Sequence, residues 1–398
     1  MNQKISKRVD KLAESETLKM AQMARQLISE GKDIINLSIG EPDFDTPDHI
    51  KKAAIKAIND NITHYPPVPG FPELRKAVVE KYKRDFNIEF DFNQVIVSNG
   101  AKQSLSNVIL SVLDEGDEVI VPSPYWVSYP EMIKLADAKM VVINAKIENN
   151  FKITPQQLEE AITPRTKMIL YSSPSNPSGG VYCMKELHEL AEVLRKHPDI
   201  IILADEIYDH INFLGKMCSF GQIEDLRDRT VIVNGVSKGY AMTGWRIGWV
   251  IAPLYIAKAC NKLQGQLTSG ACTISQMAAL AAVSEDISPT LQMRDAFLKR
   301  RDIVIEHLKE IPNIKYNKPD GAFYNLIDIS YFYGKSFNGN TINNSGEMAM
   351  FLLGEACVST VSGDAFGVPE AIRISFATSE EKIVEAIKRM KIALGKLK

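Results

Sequence analysis

Residues 231–248 read Val231-Ile-Val-Asn-Gly-Val-Ser-Lys-Gly-Tyr-Ala-Met-Thr-Gly-Trp-Arg-Ile-Gly248. Val231 to Asn234 is a short β-branched run of the kind that forms a buried strand. It delivers the chain into a glycine-bounded loop carrying Ser237, Lys238 and Arg246. Similar runs recur upstream. Val95 to Val97, Glu118 to Val121, Met140 to Ile143, Lys167 to Tyr171 and Ile200 to Ala204 each read as a strand. Helical patterns lie between them, such as AKQSLSNVILSVL beyond Val97 and Met184 to Arg195 before Ile200. Thr154-Pro-Gln-Gln157 opens a further helix with a capping-box pattern and proline at its first position. The alternation predicts an α/β fold: a mostly parallel sheet with helices on both faces.

After about residue 290 the pattern changes. A charged helix around Leu298 to Lys309, a Pro-Asp-Gly turn at 319–321, and strands near Ala322 to Leu326 and Ile372 to Phe376 predict a smaller α+β unit. Its last helix starts at Ser379, whose Ser-Glu-Glu-Lys sequence suits a cap and first turn. An amphipathic helix over about Thr17 to Glu30, ended by Gly31, is expected to pack on this unit. The expected organisation is therefore an N-terminal segment (1–47), a large domain (48–290) and a small C-terminal domain (291–398).

Bulk properties exclude several function classes. Lys and Arg total 47 against 49 Asp and Glu, a formal net charge of −2, and no basic run suggests a nucleic-acid or membrane-surface partner. Cys183, Cys218, Cys260, Cys272 and Cys357 are scattered and form no C-x-x-C pair, which fits a reduced, cytoplasmic protein. No apolar run reaches the roughly 20 residues of a membrane span, and the N-terminal residues lack the apolar core of a secretory signal. The six histidines show no ligand spacing with one another or with cysteine, so no metal site is expected.

In parallel α/β sheets ligands sit beyond the carboxyl ends of the strands. After Val97 comes Ser98-Asn-Gly-Ala-Lys102 at a helix start, where free N–H groups favour a phosphate; alone, the pattern also fits a simple turn. After Tyr171 comes Ser172-Ser-Pro-Ser-Asn-Pro-Ser-Gly-Gly180, which in isolation reads equally as a rigid surface loop or as a mount for the Asn176 amide. After Ala204 comes Asp205-Glu206, an acidic pair beside an apolar run, so one of the two is expected to meet a cation. Lys238 alone would pass for an exposed loop lysine. With Ser237 beside it and Arg246 eight residues on, it is placed to hold a phosphorylated aldehyde.

The run SKGYAMTGWRIGW resembles the lysine segment of the class I aminotransferases, members of the fold type I pyridoxal-phosphate enzymes. The likeness extends in order through SIGEPDFDTP (38–47), HYPPVPGFPELR, SNGAKQ, PSPYWVSY, PSNPSG, ADEIY and RISFATSEE (373–381), and so covers essentially the whole chain. It implies a large domain with a seven-stranded, mostly parallel sheet plus a smaller α+β domain, and pyridoxal 5′-phosphate held as an imine on Lys238. It further implies Asp205 as partner of the ring nitrogen, and Asn176 and Tyr208 as donors to the phenolic oxygen. Ser237, Arg246 and the Gly100-Ala101-Lys102 segment would hold the phosphate, and Trp126 would stack on the ring. Tyr65 would reach the phosphate of a neighbouring subunit, making the enzyme at least a homodimer. Arg373 and Gly40 would take the substrate α-carboxylate, with Trp126 and Asn176 also touching the substrate.

Within the family the chain resembles the bacterial aspartate/prephenate subgroup. There a lysine at the position of Lys102 reads the distal carboxylate, and a Ser-x-Thr element, here Ser15 and Thr17, folds over the substrate. A lysine in the first turn of a helix is unfavourable by roughly 0.3–1 kcal/mol and asks for an anionic partner. Relatives that accept prephenate tend to carry a basic residue just before that element, whereas Ala13 and Glu14 stand here. The expected reaction is therefore transfer from aspartate to 2-oxoglutarate, with an aromatic, prephenate or broad-specificity aminotransferase as the alternative. A β-lyase or cyclopropane-forming synthase would use the same central residues. A non-catalytic cofactor-binding regulator would need a further DNA-binding domain. A nicotinamide dehydrogenase would need a G-x-G-x-x-G turn that follows none of the strands.

Overall fold

The computed structural model describes residues 5–398. After the short strand β1 (Ile35–Asn36), the β-branched runs become β2 (Val95–Ser98), β3 (Glu118–Ser123), β4 (Lys139–Asn144), β5 (Thr166–Ser172), β6 (Ile201–Asp205) and β7 (Thr230–Gly235), joined by β8 (Gly248–Ile251). These seven form one sheet in the order β2-β8-β7-β6-β5-β3-β4. Only β8 runs antiparallel to its neighbours, with Val95 opposite Ile251 and Gly235 opposite Gly248. The sequence does not announce β8 as a separate strand, because its four residues begin with glycine and follow Arg246 without a turn signal.

Successive residues of each strand face opposite sides, and in every strand but the part-exposed edge strand β4 both sides are buried. Val119, Val121, Leu170, Leu203, Val231 and Val233 share one core with helices Ala101–Val112, Tyr129–Leu135 and Leu254–Leu267. Ile232 turns to a second core under helices Asp48–Asn59, Pro72–Phe86 and Thr273–Ser284, while Ile120, Ile169 and Ile202 turn to a third under Met184–Arg195. Burial on both faces explains why the strands read as continuous apolar runs. The expected capping box is present: the Thr154 hydroxyl accepts from the Gln157 N–H at 3.3 Å, and the Gln157 side chain accepts from the Thr154 N–H at 2.9 Å.

The C-terminal third carries a second sheet. Strands β9 (Lys315–Tyr316), β10 (Tyr324–Asp328), β14 (Val361–Ser362) and β15 (Ala371–Ser375) run antiparallel in the order β14-β15-β10-β9, with Leu326 opposite Arg373. Strands β11 (Ser336–Phe337) and β12 (Asn340–Thr341) form a hairpin, and β13 (Val358–Ser359) pairs in parallel with β1. Helix Glu16–Ser29 sets Met20 and Ala24 against Ala349 and Leu353. Two boundaries differ from expectation. The charged helix already begins at Ser288, with Pro289 in its first turn. The strand expected near Ala322 begins at Tyr324 because Ala322 has a φ of +56° and bonds back to the Ile211 carbonyl at 2.8 Å. Among the described residues no helix is long and apolar enough to cross a membrane.

Candidate active site

The carboxyl ends of β2, β3, β5, β6 and β7 converge on a cavity of about 380 Å³. Its walls include Ser15, Thr17, Gly40, Ala101, Lys102, Trp126, Asn176, Asp205, Tyr208, Ser237, Lys238, Arg246 and Arg373, so almost all of the anticipated site residues meet in one place. Tyr65 does not; it is 95% exposed, away from this cavity's wall. The Ser15 and Thr17 hydroxyls bond each other at 2.8 Å.

Lys238 donates from Nζ to the Gly40 carbonyl at 2.5 Å. Burial pushes its amine down to about 8; Glu41 pulls the other way, and Arg373 and Arg246 add to the depression. Arg373 is buried, donating from Nη1 to Asn176 Oδ1 at 3.0 Å and from Nη2 to the Ser38 carbonyl at 2.7 Å. Its Nε has no partner, and burial lowers its pKa with no carboxylate among the groups that oppose the shift. Such a cation is costly unless an anion arrives. With its oxygen committed to Arg373, the Asn176 amide has only N–H donors left to offer the cavity it lines.

Asp205 is fully enclosed. Its Oδ2 accepts from the Tyr129 hydroxyl at 2.7 Å and its Oδ1 from the Ile207 N–H at 3.3 Å. Burial raises its pKa to about 6, and the Tyr129 bond restrains the rise. Among the described residues neither Asp205 nor Glu206 makes an ion pair, so the cation expected beside this acidic pair is not one of the chain's own side chains. Burial pushes the Glu206 carboxyl up to about 8, which favours its neutral form. Neither of its oxygens has a partner within hydrogen-bond geometry, although the Ser219 hydroxyl is close enough to temper the shift. The buried ion pair lies four residues further on, where Lys81 donates to Asp209 at 2.6 Å.

An anion cradle forms where helix Ala101–Val112 begins. Gly100 holds a φ of +84°, and a side chain there would meet Arg246 Nη2 at 2.4 Å. Gly248 of β8 lies so close that a Cβ would fall 2.2 Å from the Ala101 nitrogen. Arg246, itself left-handed at φ +56°, bonds the Thr243 and Asn99 carbonyls, leaving its charge unpaired. Lys102 sits over the Trp126 ring at 4.9 Å, and burial followed by the charge of Arg246 lowers its pKa. The Arg246 guanidinium, the Ser237 hydroxyl and the helix N-terminus meet at one end of the cavity and suit a phosphate, with the Lys102 amine close by as a second cation. A phosphate there, a buried carboxylate for a ring nitrogen, amide and phenol donors, and a depressed lysine amine together fit pyridoxal 5′-phosphate.

The sequence reading missed Tyr129 and Tyr324. Tyr129 stands in the quoted Pro-Tyr-Trp-Val-Ser-Tyr run, five residues past the proline, but nothing in the run says that its hydroxyl reaches Asp205. Tyr324 lies in a Gly-Ala-Phe-Tyr run with no distinctive spacing, yet it lines the cavity and bonds the Tyr208 hydroxyl at 2.8 Å. Among the described residues no cluster of three or more His, Cys, Asp or Glu is arranged to hold a metal ion.

Residues 32–390 match the family model described as aminotransferase class I and II. A probable aspartate/prephenate aminotransferase of Rickettsia bellii is 46% identical over 396 residues, covering 99% of both chains. An aspartate/prephenate aminotransferase of Nitrosomonas europaea is 45% identical over 97% of this chain and 98% of its own length. The crystal structure of the Rhizobium meliloti aspartate aminotransferase superposes with a TM-score of 0.95 at 40% identity, covering 99% of this chain and 100% of that one. The Thermus thermophilus aspartate aminotransferase with maleate gives 0.92 at 38%, covering 98% and 99%. With the sheet order and the cavity, these likenesses establish that the chain is a fold type I enzyme dependent on pyridoxal 5′-phosphate and belongs to the class I and II aminotransferases.

Proposed function

We propose that the enzyme transfers the amino group of aspartate to 2-oxoglutarate. The observation that carries this reading is Arg373, a buried guanidinium with an unpartnered Nε in the same cavity as a second cation, Lys102. The planar fork of Arg373 suits an α-carboxylate, with Gly40 beside it, and Lys102 suits the distal carboxylate of a dicarboxylic acid. The names of the two curated relatives support aspartate. They also include prephenate, which is the second reading; Ala13 and Glu14, in place of a basic residue, weigh against it.

When bound, pyridoxal 5′-phosphate supplies an electron sink for the bonds at the substrate Cα. Lys238 is its point of attachment, and once freed its Nζ takes the Cα proton, a role suited to an amine of pKa about 8. Asp205 holds the proton on the ring nitrogen, and Asn176 and Tyr208 donate to the phenolic oxygen. Ser237, Arg246 and the backbone of Gly100, Ala101 and Lys102 bind the phosphate, while Trp126 covers the ring. Ser15 and Thr17 close over the substrate and exclude water. We assign Tyr65 to the cavity of a partner subunit in a cytoplasmic homodimer, in keeping with its exposure and that of Ile55 and Ile58 on a preceding helix. Residues 48–290 form the cofactor-bearing domain, and the described part of the N-terminal segment, 5–47, moves against it with 291–398.

A half-reaction panel tests the substrate assignment. Cofactor absorbance is followed with aspartate, glutamate, tyrosine, alanine and arogenate in turn. Fastest conversion with aspartate or glutamate supports the proposal. Fastest conversion with arogenate favours the second reading, and release of ammonia with pyruvate would replace transfer by elimination.

A further inference from the structure

Tyr324 is fully buried on β10, in the C-terminal sheet, yet its hydroxyl meets the Tyr208 hydroxyl from the other side of the cavity at 2.8 Å. The face of its ring lies 4.5 Å from Arg373 Cζ. The same hydroxyl would be 2.8 Å from a Cβ built on Gly40, so the absence of a side chain at Gly40 is what allows it to sit there. One residue therefore touches three groups with assigned work: Tyr208, Arg373 and Gly40.

A phenol has one proton to donate and can accept two. The Tyr208–Tyr324 bond is compatible with either direction, but the two directions have different consequences. If Tyr208 gave its proton to Tyr324, it would have none for the phenolic oxygen of the cofactor. If Tyr324 donates, the Tyr208 proton is free for the cavity, and its O–H is polarised by the bond it accepts. Arg373 adds a second constraint, because with only Asn176 and Ser38 as acceptors its guanidinium plane is steadied by aromatic rings, that of Tyr324 at 4.5 Å and that of Phe366 at 4.9 Å.

We propose that Tyr324 is a positioning residue with two separable parts: its hydroxyl orients the Tyr208 proton toward the cofactor, and its ring fixes the Arg373 guanidinium for the substrate carboxylate. This rests on the reading that Lys238 carries the cofactor and that Tyr208 faces the phenolic oxygen.

The two parts are tested with Tyr324→Phe, which keeps the ring, and Tyr324→Leu, which does not. In the holoenzyme, the cofactor absorbance titrates with the Lys238-linked nitrogen. A weaker Tyr208 bond to the phenolic oxygen leaves more charge there and raises the midpoint. Tyr324→Phe is expected to move it up by about half to one pH unit. Tyr208→Phe is expected to move it further, and adding Tyr324→Phe to that variant is expected to change nothing more. For the ring, binding of the non-reactive dicarboxylate maleate, read by the same absorbance, is expected to weaken about tenfold in Tyr324→Leu and to hold within about twofold in Tyr324→Phe. A midpoint that stays put or falls in Tyr324→Phe, or a further rise in the double variant, overturns the hydroxyl assignment. Unchanged maleate binding in Tyr324→Leu overturns the ring assignment. A wild-type holoenzyme with no titrating absorbance would instead overturn the underlying reading of Lys238.

Discussion

At the scale of single residues, charge and its absence decide most of the chemistry. Lys238 and Arg373 both lie in surroundings that disfavour their charged forms, and neither has a carboxylate within ion-pair distance among the described residues. For Lys238 the consequence is a pH dependence. The free amine titrates near 8 instead of 10.5, so the rate at which apoenzyme takes up pyridoxal phosphate should rise with pH and reach half its plateau near pH 8; a half-point near 10 would contradict the burial effect. The same shift has a stability side. Because the folded amine loses its proton before the unfolded one, the unfolded chain binds more protons between the two values. The apoprotein should therefore gain stability as pH rises from about 8 toward 10.5, an effect that Lys238→Met should remove in thermal melts. Lys102 bears on substrate choice. Lys102→Ala should raise the KM for aspartate by about tenfold or more, the value of a charge-assisted hydrogen bond, while that for alanine stays nearly constant. Equal effects on the two would detach Lys102 from specificity.

At the scale of elements, the loops that follow the parallel strands were the most legible part of the molecule. The β-branched runs at Val95, Lys167, Ile201 and Val231 each end in a polar loop, and the side chains expected to converge do line one cavity. What stayed hidden depends on contacts far apart in the chain. Strand β8 has too short a run to be read alone, and its place is set by pairing with nearby β7 on one side and, across about 150 residues, with β2 on the other. Tyr129 and Tyr324 are ordinary aromatics until the fold brings their hydroxyls to Asp205 and Tyr208. The Asp205-Glu206 pair finds no cation among the described side chains: the Tyr129 phenol bond restrains the pKa of Asp205, which is left to face the ring nitrogen proposed above, while burial raises that of Glu206. The approach of β8 to helix Ala101–Val112 gives a prediction at this scale. In Gly248→Ala the new Cβ would meet backbone at 2.2 Å, which no side-chain rotation relieves. The protein should lose about 1–3 kcal/mol in denaturant unfolding, and its cofactor affinity should fall because the helix N-terminus is displaced. Unchanged affinity would argue that the cradle does not bind the phosphate.

At the scale of the whole molecule, the ends of the chain are tied together. β1 pairs with β13, and helix Glu16–Ser29 packs on Ala349 and Leu353, so Gly40, Ser15 and Thr17 are carried by the same body as Arg373. Substrate that bridges Arg373 and Lys102 should draw this body toward the large sheet, and small-angle scattering of the holoenzyme should show compaction on adding maleate; an unchanged radius of gyration would count against closure. On the reading proposed above, Tyr65, nearly fully exposed, serves the cavity of a second copy. Sedimentation should therefore give a dimer, and Tyr65→Ala should weaken cofactor binding without altering the fold. The catalytic expectations depend on the attachment of the cofactor at Lys238. Borohydride reduction of the holoenzyme, followed by mass analysis of its peptides, tests that attachment most directly. The predicted result is a single reduced pyridoxyl-phosphate adduct on the peptide containing Lys238, absent from Lys238→Ala; an adduct on another lysine, or one that survives in Lys238→Ala, would contradict it.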